Sequence, residues 1–305
     1  MSQNQAAITI QGLAKSYGNI QALRGVDLEV NRGELYGFLG PNGAGKTTTI
    51  RCLLDLIRPQ SGTVRVLGLD PHADSVAVRA RVGYLPGELS LESNLRVEHT
   101  LRYFNALRGN KGEWEYVRQL AKRLELDLTM PIKNLSKGNK QKVGVVQALM
   151  NRPELLLLDE PTSSLDPLMQ QEVHRLLKEA QSHGATVFFS SHFISEVEAI
   201  AERVGIIRNG LIVEQAEPSQ LGSMDLRRVH VRFMQPSDPE PLANVTGVTL
   251  LPERDGLNVT VQVEGELDGF LKALAAFPVS DMVIERPSLE EIFLAYYEGD
   301  DEEVT

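Results

Sequence analysis

One cysteine, Cys52, stands in a chain of 305 residues. A single thiol excludes an internal disulfide and any multi-cysteine metal site, and Cys52 falls in an apolar stretch where a packed core thiol is expected. Long hydrophobic runs are missing too. No segment approaches the ~20 apolar residues that a membrane-spanning helix needs. The opening M-S-Q-N-Q-A-A-I-T-I has neither the basic region nor the hydrophobic core of a secretion signal, so a cytoplasmic protein is expected. Positive charge is in deficit: the net charge is −10, which argues against a broad nucleic-acid surface, and no nucleic-acid partner is expected. The histidines at His72, His99, His174, His183 and His230 have no metal-ligand spacing. There is no internal repeat and no low-complexity tract. What remains is a globular composition, 42% hydrophobic, long enough for one large domain and a smaller one.

Two distant stretches carry the chemistry. Residues Gly40 to Thr48 read G-P-N-G-A-G-K-T-T and fit the pattern G-x-x-x-x-G-K-[ST]. The glycines let backbone N–H groups wrap around phosphate oxygens, Lys46 reaches the β- and γ-phosphates, and the Thr47 hydroxyl is suited to Mg²⁺. The loop follows the apolar run E-L-Y-G-F-L and precedes T-T-T-I-R-C-L-L-D-L-I, the strand and helix that such a loop requires. The helix is expected to end near Ile57, and its positive N-terminal end faces the anion. Residues Leu155 to Pro161, L-L-L-L-D-E-P, read as a buried parallel strand ending in two carboxylates. Asp159 can hold the metal shell, and Glu160 stands where a base for an attacking water belongs. Together they indicate a nucleotide hydrolase.

Around these stretches the pattern predicts two antiparallel strands about a turn at Gly18 and Asn19, then the loop-bearing strand, then a short strand in T-V-R-V-L-G. From about Leu89 to Met150 the periodicity is helical, and Tyr103, Phe104 and Trp114 are expected to pack that insert. Asp166 and Pro167 form an N-cap and first-turn pair for a helix through Ala180. A strand is predicted over Ala185 to Ser190, and a hairpin turns through Asn209-Gly210. After about Leu221 the composition changes to a small α+β unit, with a closing helix in S-L-E-E-I-F-L-A-Y-Y-E and an acidic tail.

In this order the motifs resemble those of the ATP-binding subunits of ABC transporters, over roughly residues 6 to 220. Tyr17 precedes a glycine; the phosphate loop follows; G-Y-L-P occupies Gly83 to Pro86; L-S-K-G-N-K-Q-K-V begins at Leu135; L-L-L-L-D-E-P-T-S-S-L-D-P carries the carboxylates; S-S-H ends at His192. The resemblance implies an α/β P-loop NTPase core with an antiparallel β subdomain and a helical insert (about 89–150), all within residues 1–221. Residues 222–305 then form a small accessory α+β domain.

It further implies ATP and Mg²⁺ as ligands. Adenine would stack on Tyr17, and Gly40, Pro41, Asn42, Gly43, Ala44, Gly45, Lys46, Thr47 and Thr48 would hold the phosphates. Glu160, His192 and Lys46 would be catalytic. Two subunits would sandwich two ATP molecules, as a homodimer or pseudo-dimer, with Ser136 and Gly138 of one reaching the γ-phosphate held by the other. A separately encoded transmembrane permease would fix the chain to the inner face of the cell membrane, and the wording is closest to ATPases of exporters. Two departures stand out. Where the family usually has Gln after G-Y-L-P this chain has Gly87, with Glu88 next as a substitute metal ligand. In the signature, Lys137 and Asn139 replace the usual Gly and Gln, and Lys137 is expected to face solvent. The alternative function is a soluble ABC ATPase of DNA repair or translation; a single cassette, a short insert and one cysteine count against it. A non-catalytic nucleotide-binding regulator would be expected to lack Glu160 or Lys46, and both are present.

Overall fold

The computed structural model describes residues 6–110, 112–218 and 226–285. The chain divides into two compact units, Met1–Glu217 and Pro218–Thr305.

In the first unit, β1 (Ala6–Tyr17) and β2 (Ile20–Asn31) alternate buried and exposed positions and form an antiparallel hairpin, which β4 (Ser61–Val66) extends to a three-stranded sheet ordered β2-β1-β4. A second sheet has six strands: β5 (Val82–Leu85), β6 (Leu155–Asp159), β7 (Thr186–Ser191), β3 (Leu35–Leu39), β8 (Arg203–Arg208) and β9 (Leu211–Ala216), in that spatial order. The first five run parallel and β9 is antiparallel. Strands β3, β6 and β7 are buried along their whole length, which is why their sequences are unbroken apolar runs rather than alternations. The turn joining β8 to β9 has positive φ at both Asn209 (48°) and Gly210 (76°), as a two-residue hairpin requires.

The helices of this unit are α1 (Lys46–Leu53), α2 (Ser75–Arg81), α3 (Val97–Leu107), α4 (Trp114–Arg123), α5 (Lys137–Leu149), α6 (Pro167–Ser182) and α7 (Ile194–Ile200). Helix α6 starts as its sequence predicts: the Asp166 carboxylate accepts from the backbone N–H of Leu168 and Met169, and Pro167 occupies the first turn. Three expectations need correction. Helix α1 stops at Leu53, short of Ile57, because Asp55 takes φ 51° and the N–H groups of Asp55 and Leu56 bond back to the carbonyls of Cys52 and Arg51. That is a Schellman ending with aspartate where glycine usually signals it. Helicity does not begin at Leu89 but at Val97, since the preceding segment bonds across to another loop: Ile132 donates to the Leu95 carbonyl and Lys133 to that of Ser93. Tyr103 stays exposed, its ring tilted against Phe104. The Arg102 guanidinium covers the Trp114 ring at 3.9 Å.

The second unit runs β10 (Leu226–Phe233), a 3-10 turn (Glu240–Asn244), β11 (Val248–Arg254), β12 (Asn258–Glu264), α8 (Leu267–Leu274) and β13 (Val279–Glu285). Its strands form one antiparallel sheet ordered β11-β12-β10-β13. This is the ferredoxin-like split arrangement, with its first helix reduced to the 3-10 turn. Val229, Val231 and Phe233 of β10 and Val259, Val261 and Val263 of β12 project to one face, where Phe270 and Leu274 of α8 meet them. The closing helix and acidic tail expected from the sequence lie outside the described residues.

Candidate functional site

Strands β3, β6 and β7 lie side by side and parallel, so their C-terminal ends deliver side chains to one place. The loop Gly40–Gly45 leaves β3 there and turns into α1. Its conformation needs glycine at two points. Gly45 has φ 115°, and a Cβ on it would lie 2.7 Å from Leu23 Cδ2 and 2.8 Å from the Ala22 carbonyl oxygen; a Cβ on Gly40 would lie 2.4 Å from the carbonyl oxygen of Ile207. The result is a cleft of about 220 Å³ lined by Pro41, Asn42, Gly43, Gly45, Lys46, Thr47, Thr48 and Glu160. Ala44 sits beneath it, buried, with its carbonyl accepting from Gly210 N–H.

The polar atoms of this cleft form one network. Lys46 is 5% exposed; its Nζ donates to the carbonyls of Gly40 (2.5 Å) and Pro41 (3.1 Å). Burial pushes its pKa down, against the pull of the Glu160 and Asp159 carboxylates. Asp159 is 1% exposed and both its oxygens are engaged: Oδ2 accepts from Thr47 Oγ1 at 2.7 Å, Oδ1 from Ser190 Oγ at 2.6 Å. Glu160 has φ 51°, rare for a residue with a side chain. Its N–H donates to Ser190 Oγ (3.1 Å) and its carbonyl accepts from Gln141 Nε2 (2.9 Å), so the unusual backbone is held from both sides. That conformation aims its carboxylate back over the cleft, where Oε1 lies 3.0 Å from His192 Nδ1 and 3.7 Å from Lys46 Nζ.

The structure therefore brings together Lys46, Thr47, Asp159, Glu160 and His192. Other residues singled out from the sequence stand apart from the cleft lining. Tyr17 is 46% exposed, with Lys15 Nζ 5.4 Å from its ring centre. Ser136 caps α5 by accepting from Asn139 N–H at 3.2 Å, and Lys137 beside it is exposed. Gly138 packs so tightly on the loop after β6 that a Cβ would lie 2.6 Å from the Ser164 carbonyl oxygen. Glu88 is exposed, whereas Gly87 is the residue beside Asp159: a Cβ there would lie 3.0 Å from Asp159 Oδ2. Gln141 and Ser190 were not anticipated as site residues. Their signal was their place inside K-Q-K and S-S-H; Gln141 holds backbone after β6, and Ser190 holds both the Glu160 N–H and the Asp159 carboxylate.

Hydroxyl and carboxylate oxygens at Thr47 and Asp159 are the hard donors that a magnesium ion takes. Among the described residues no helix is long and apolar enough to cross a membrane.

Comparisons with known proteins agree with this geometry. Residues 23–163 match the family model described as ABC transporter. The chain is 33% identical over 309 residues to the daunorubicin resistance ATP-binding protein DrrA3 of Streptomyces coeruleorubidus, covering 98% of each chain. It is 36% identical over 206 residues to the bacitracin transport ATP-binding protein BcrA of Bacillus licheniformis, covering 67% of each. Among solved structures, an ATP-binding subunit of an ABC transporter superposes with a TM-score of 0.65 at 29% identity, covering 70% of this chain and 91% of that one. A dimeric bacterial ABC transporter cassette superposes with a TM-score of 0.60 at 25% identity, covering 69% and 98%. With the phosphate loop, the two carboxylates and the histidine assembled at the C-terminal ends of adjacent parallel strands, the chain belongs to the ABC transporters, as one of their ATP-hydrolysing subunits.

Proposed function

We propose that the chain is the motor of an exporter, working at the inner face of the cell membrane as a dimer that sandwiches two ATP molecules and drives a separately encoded permease. One observation supports the export reading above others: end-to-end relatedness, over 98% of the chain, to a protein named for daunorubicin resistance. Other relatives carry names of bacitracin transport and Nod factor export.

In this reading the N–H groups of Gly43 to Thr48 and the Lys46 ammonium bind the β- and γ-phosphates, and Tyr17 stacks on adenine. Thr47 and Asp159 would hold a magnesium ion, which would supply charge neutralisation on the phosphates. Exposed Glu88 is left out of that set. Glu160 Oε1 accepts a hydrogen bond from the attacking water and draws its proton, and His192, in contact with the same oxygen, steadies the carboxylate and contacts the γ-phosphate. Ser136 and Gly138 of a second copy close the site from the other side. Closure by ATP and release after hydrolysis is a shift between two states with different nucleotide affinity.

Glu160→Gln tests the chemistry. ATP still binds, turnover falls by about 10²–10⁴-fold, and an ATP-stabilised dimer appears on size exclusion. Undiminished turnover removes Glu160 from the mechanism. Mild affinity purification from solubilised host membranes tests the partner: a multi-spanning protein at near-equal stoichiometry is expected, whereas co-purifying ribosomes or DNA would favour the soluble alternative.

A further inference from the structure

Beside the cleft a third carboxylate is buried whose contacts the reaction as described does not use. Glu196, in the first turn of α7, is 8% exposed. Its Oε1 accepts a hydrogen bond from Thr162 Oγ1 and its Oε2 accepts one from Ser191 Oγ at 2.6 Å; both hydroxyls are buried. Thr162 follows Glu160 by two residues, and Ser191 immediately precedes His192. One carboxylate thus holds the hydroxyl of a residue just after Glu160 and that of the residue just before His192.

We propose that Glu196 is a positioning residue for hydrolysis, setting the mutual alignment of Glu160 and His192. Three features carry this. Helix α7 is a firm base, because it lies so close to β3 that a Cβ on Gly37 would come within 2.8 Å of Val197 Cγ1. The clamp reaches the phosphate loop as well: the Ser191 carbonyl accepts from Gly40 N–H at 3.2 Å. Ser191 Oγ also accepts from Phe193 N–H at 2.9 Å, so the chain on both sides of His192 is fixed through one hydroxyl. A buried carboxylate is moreover a poor choice if the task is only to fill space. Removing it from water is expensive, and a well-packed neutral side chain of similar volume often serves stability as well or better. What a carboxylate does better is accept two hydroxyl hydrogen bonds in a fixed fork, and here the two donors come from the turn after β6 and the end of β7, the two segments that carry the reacting groups. Tied to one anchor, the two move together, so a displacement of the segment after Glu160 is felt at His192.

The test compares Glu196→Leu, Glu196→Gln and Thr162→Val in the full chain. Turnover, nucleotide affinity by fluorescence titration, thermal melting, and the imidazole ¹⁵N shifts of His192 are measured for each. Glu196→Leu is expected to lower kcat by about tenfold or more, since small misplacements of reacting groups have effects of this size, with ATP affinity within about twofold of the parent. The His192 resonances should move. Glu196→Gln should restore kcat to within about threefold, because an amide offers one acceptor and one donor to two hydroxyls that can each take either part. Thr162→Val should lower kcat in the same way, and combining it with Glu196→Leu should add little. An unchanged kcat in folded Glu196→Leu overturns the proposal. So does a parallel loss of kcat, affinity and melting temperature with the His192 signals unmoved. Should Glu196→Leu fail to fold, Thr162→Val decides: full turnover with that hydroxyl gone overturns it equally. The inference rests on Glu160 and His192 acting as proposed above, and Glu160→Gln measured alongside separates the two. Turnover intact in Glu160→Gln sinks the site reading; turnover lost there but intact in Glu196→Leu sinks only the role of Glu196.

Discussion

The two units of this chain dispose of their polar side chains in opposite ways. In the larger unit Lys46, Asp159, Thr162, Ser190, Ser191 and Glu196 are all buried around the C-terminal ends of β6 and β7 and the loop after β3. In the smaller unit, among the described residues, Thr260 is the one buried polar side chain, and the core is otherwise valine, leucine and phenylalanine. Sheet topology explains the contrast. Parallel strands end on the same side, so adjacent strands can aim several side chains at one point, and the crevice outside their carboxyl ends is the natural place for a ligand. The antiparallel sheet of β10 to β13 alternates its chain ends and sends its polar residues out on alternate positions, as in Arg228, His230 and Arg232 between Val229, Val231 and Phe233. Its first helix is only a 3-10 turn. Chemistry is concentrated in one unit because only that unit has a geometry that concentrates it.

Removing the fully buried ring of the smaller core should sharpen this division most. Phe270→Ala is expected to destabilise that unit by about 3–5 kcal/mol, read as the loss of its own transition in calorimetry, while ATP turnover persists. Turnover falling in step would break the division and give the smaller unit a part in catalysis. Lys46→Ala is the converse: nucleotide affinity should fall by about 1.5–3 kcal/mol, the usual worth of a charge-assisted hydrogen bond, with the smaller unit melting as before. Asp166→Ala removes the cap of α6 and should lower the stability of the larger unit by about 1 kcal/mol in denaturant titration. The smallest effect concerns Cys52, whose thiol burial pushes up to about 11 from 9.0. Because the unfolded thiol ionises first, this group draws stability down only as pH rises above about 9 and contributes nothing at neutrality. Alkylation of the native protein at pH 8 should be about a hundredfold slower than in urea, and equal rates would mean that α1 opens readily.

Much of this was legible in the chain. The strands β3, β6 and β7, the phosphate loop, the Asp166 cap and the Asn209-Gly210 turn follow from local rules of apolar runs, capping and positive φ, and each lies where those rules put it. The family resemblance further named Glu160 and His192 as partners, though only the fold brings them within 3.0 Å. The misses share a cause. The end of α1 depends on an aspartate adopting a conformation that residues other than glycine seldom signal. The segment before Val97 forgoes helix for hydrogen bonds to residues thirty and more positions away, and no local pattern announces those. Gln141 binds backbone carbonyls and Glu196 binds two hydroxyls in segments far from it in sequence, so these contacts are a property of the fold rather than of residue type or spacing.

The φ of 51° at Glu160 has a consequence for how such a protein endures mutation. A left-handed backbone costs a residue with a side chain about 1–2 kcal/mol, and glycine escapes that penalty. Glu160→Gly should therefore fold at least as well as the parent, yet hydrolyse almost nothing. A laboratory screen for heat resistance alone would collect that substitution as an improvement. On the role proposed for Glu160, stability and work pull in opposite directions at this position.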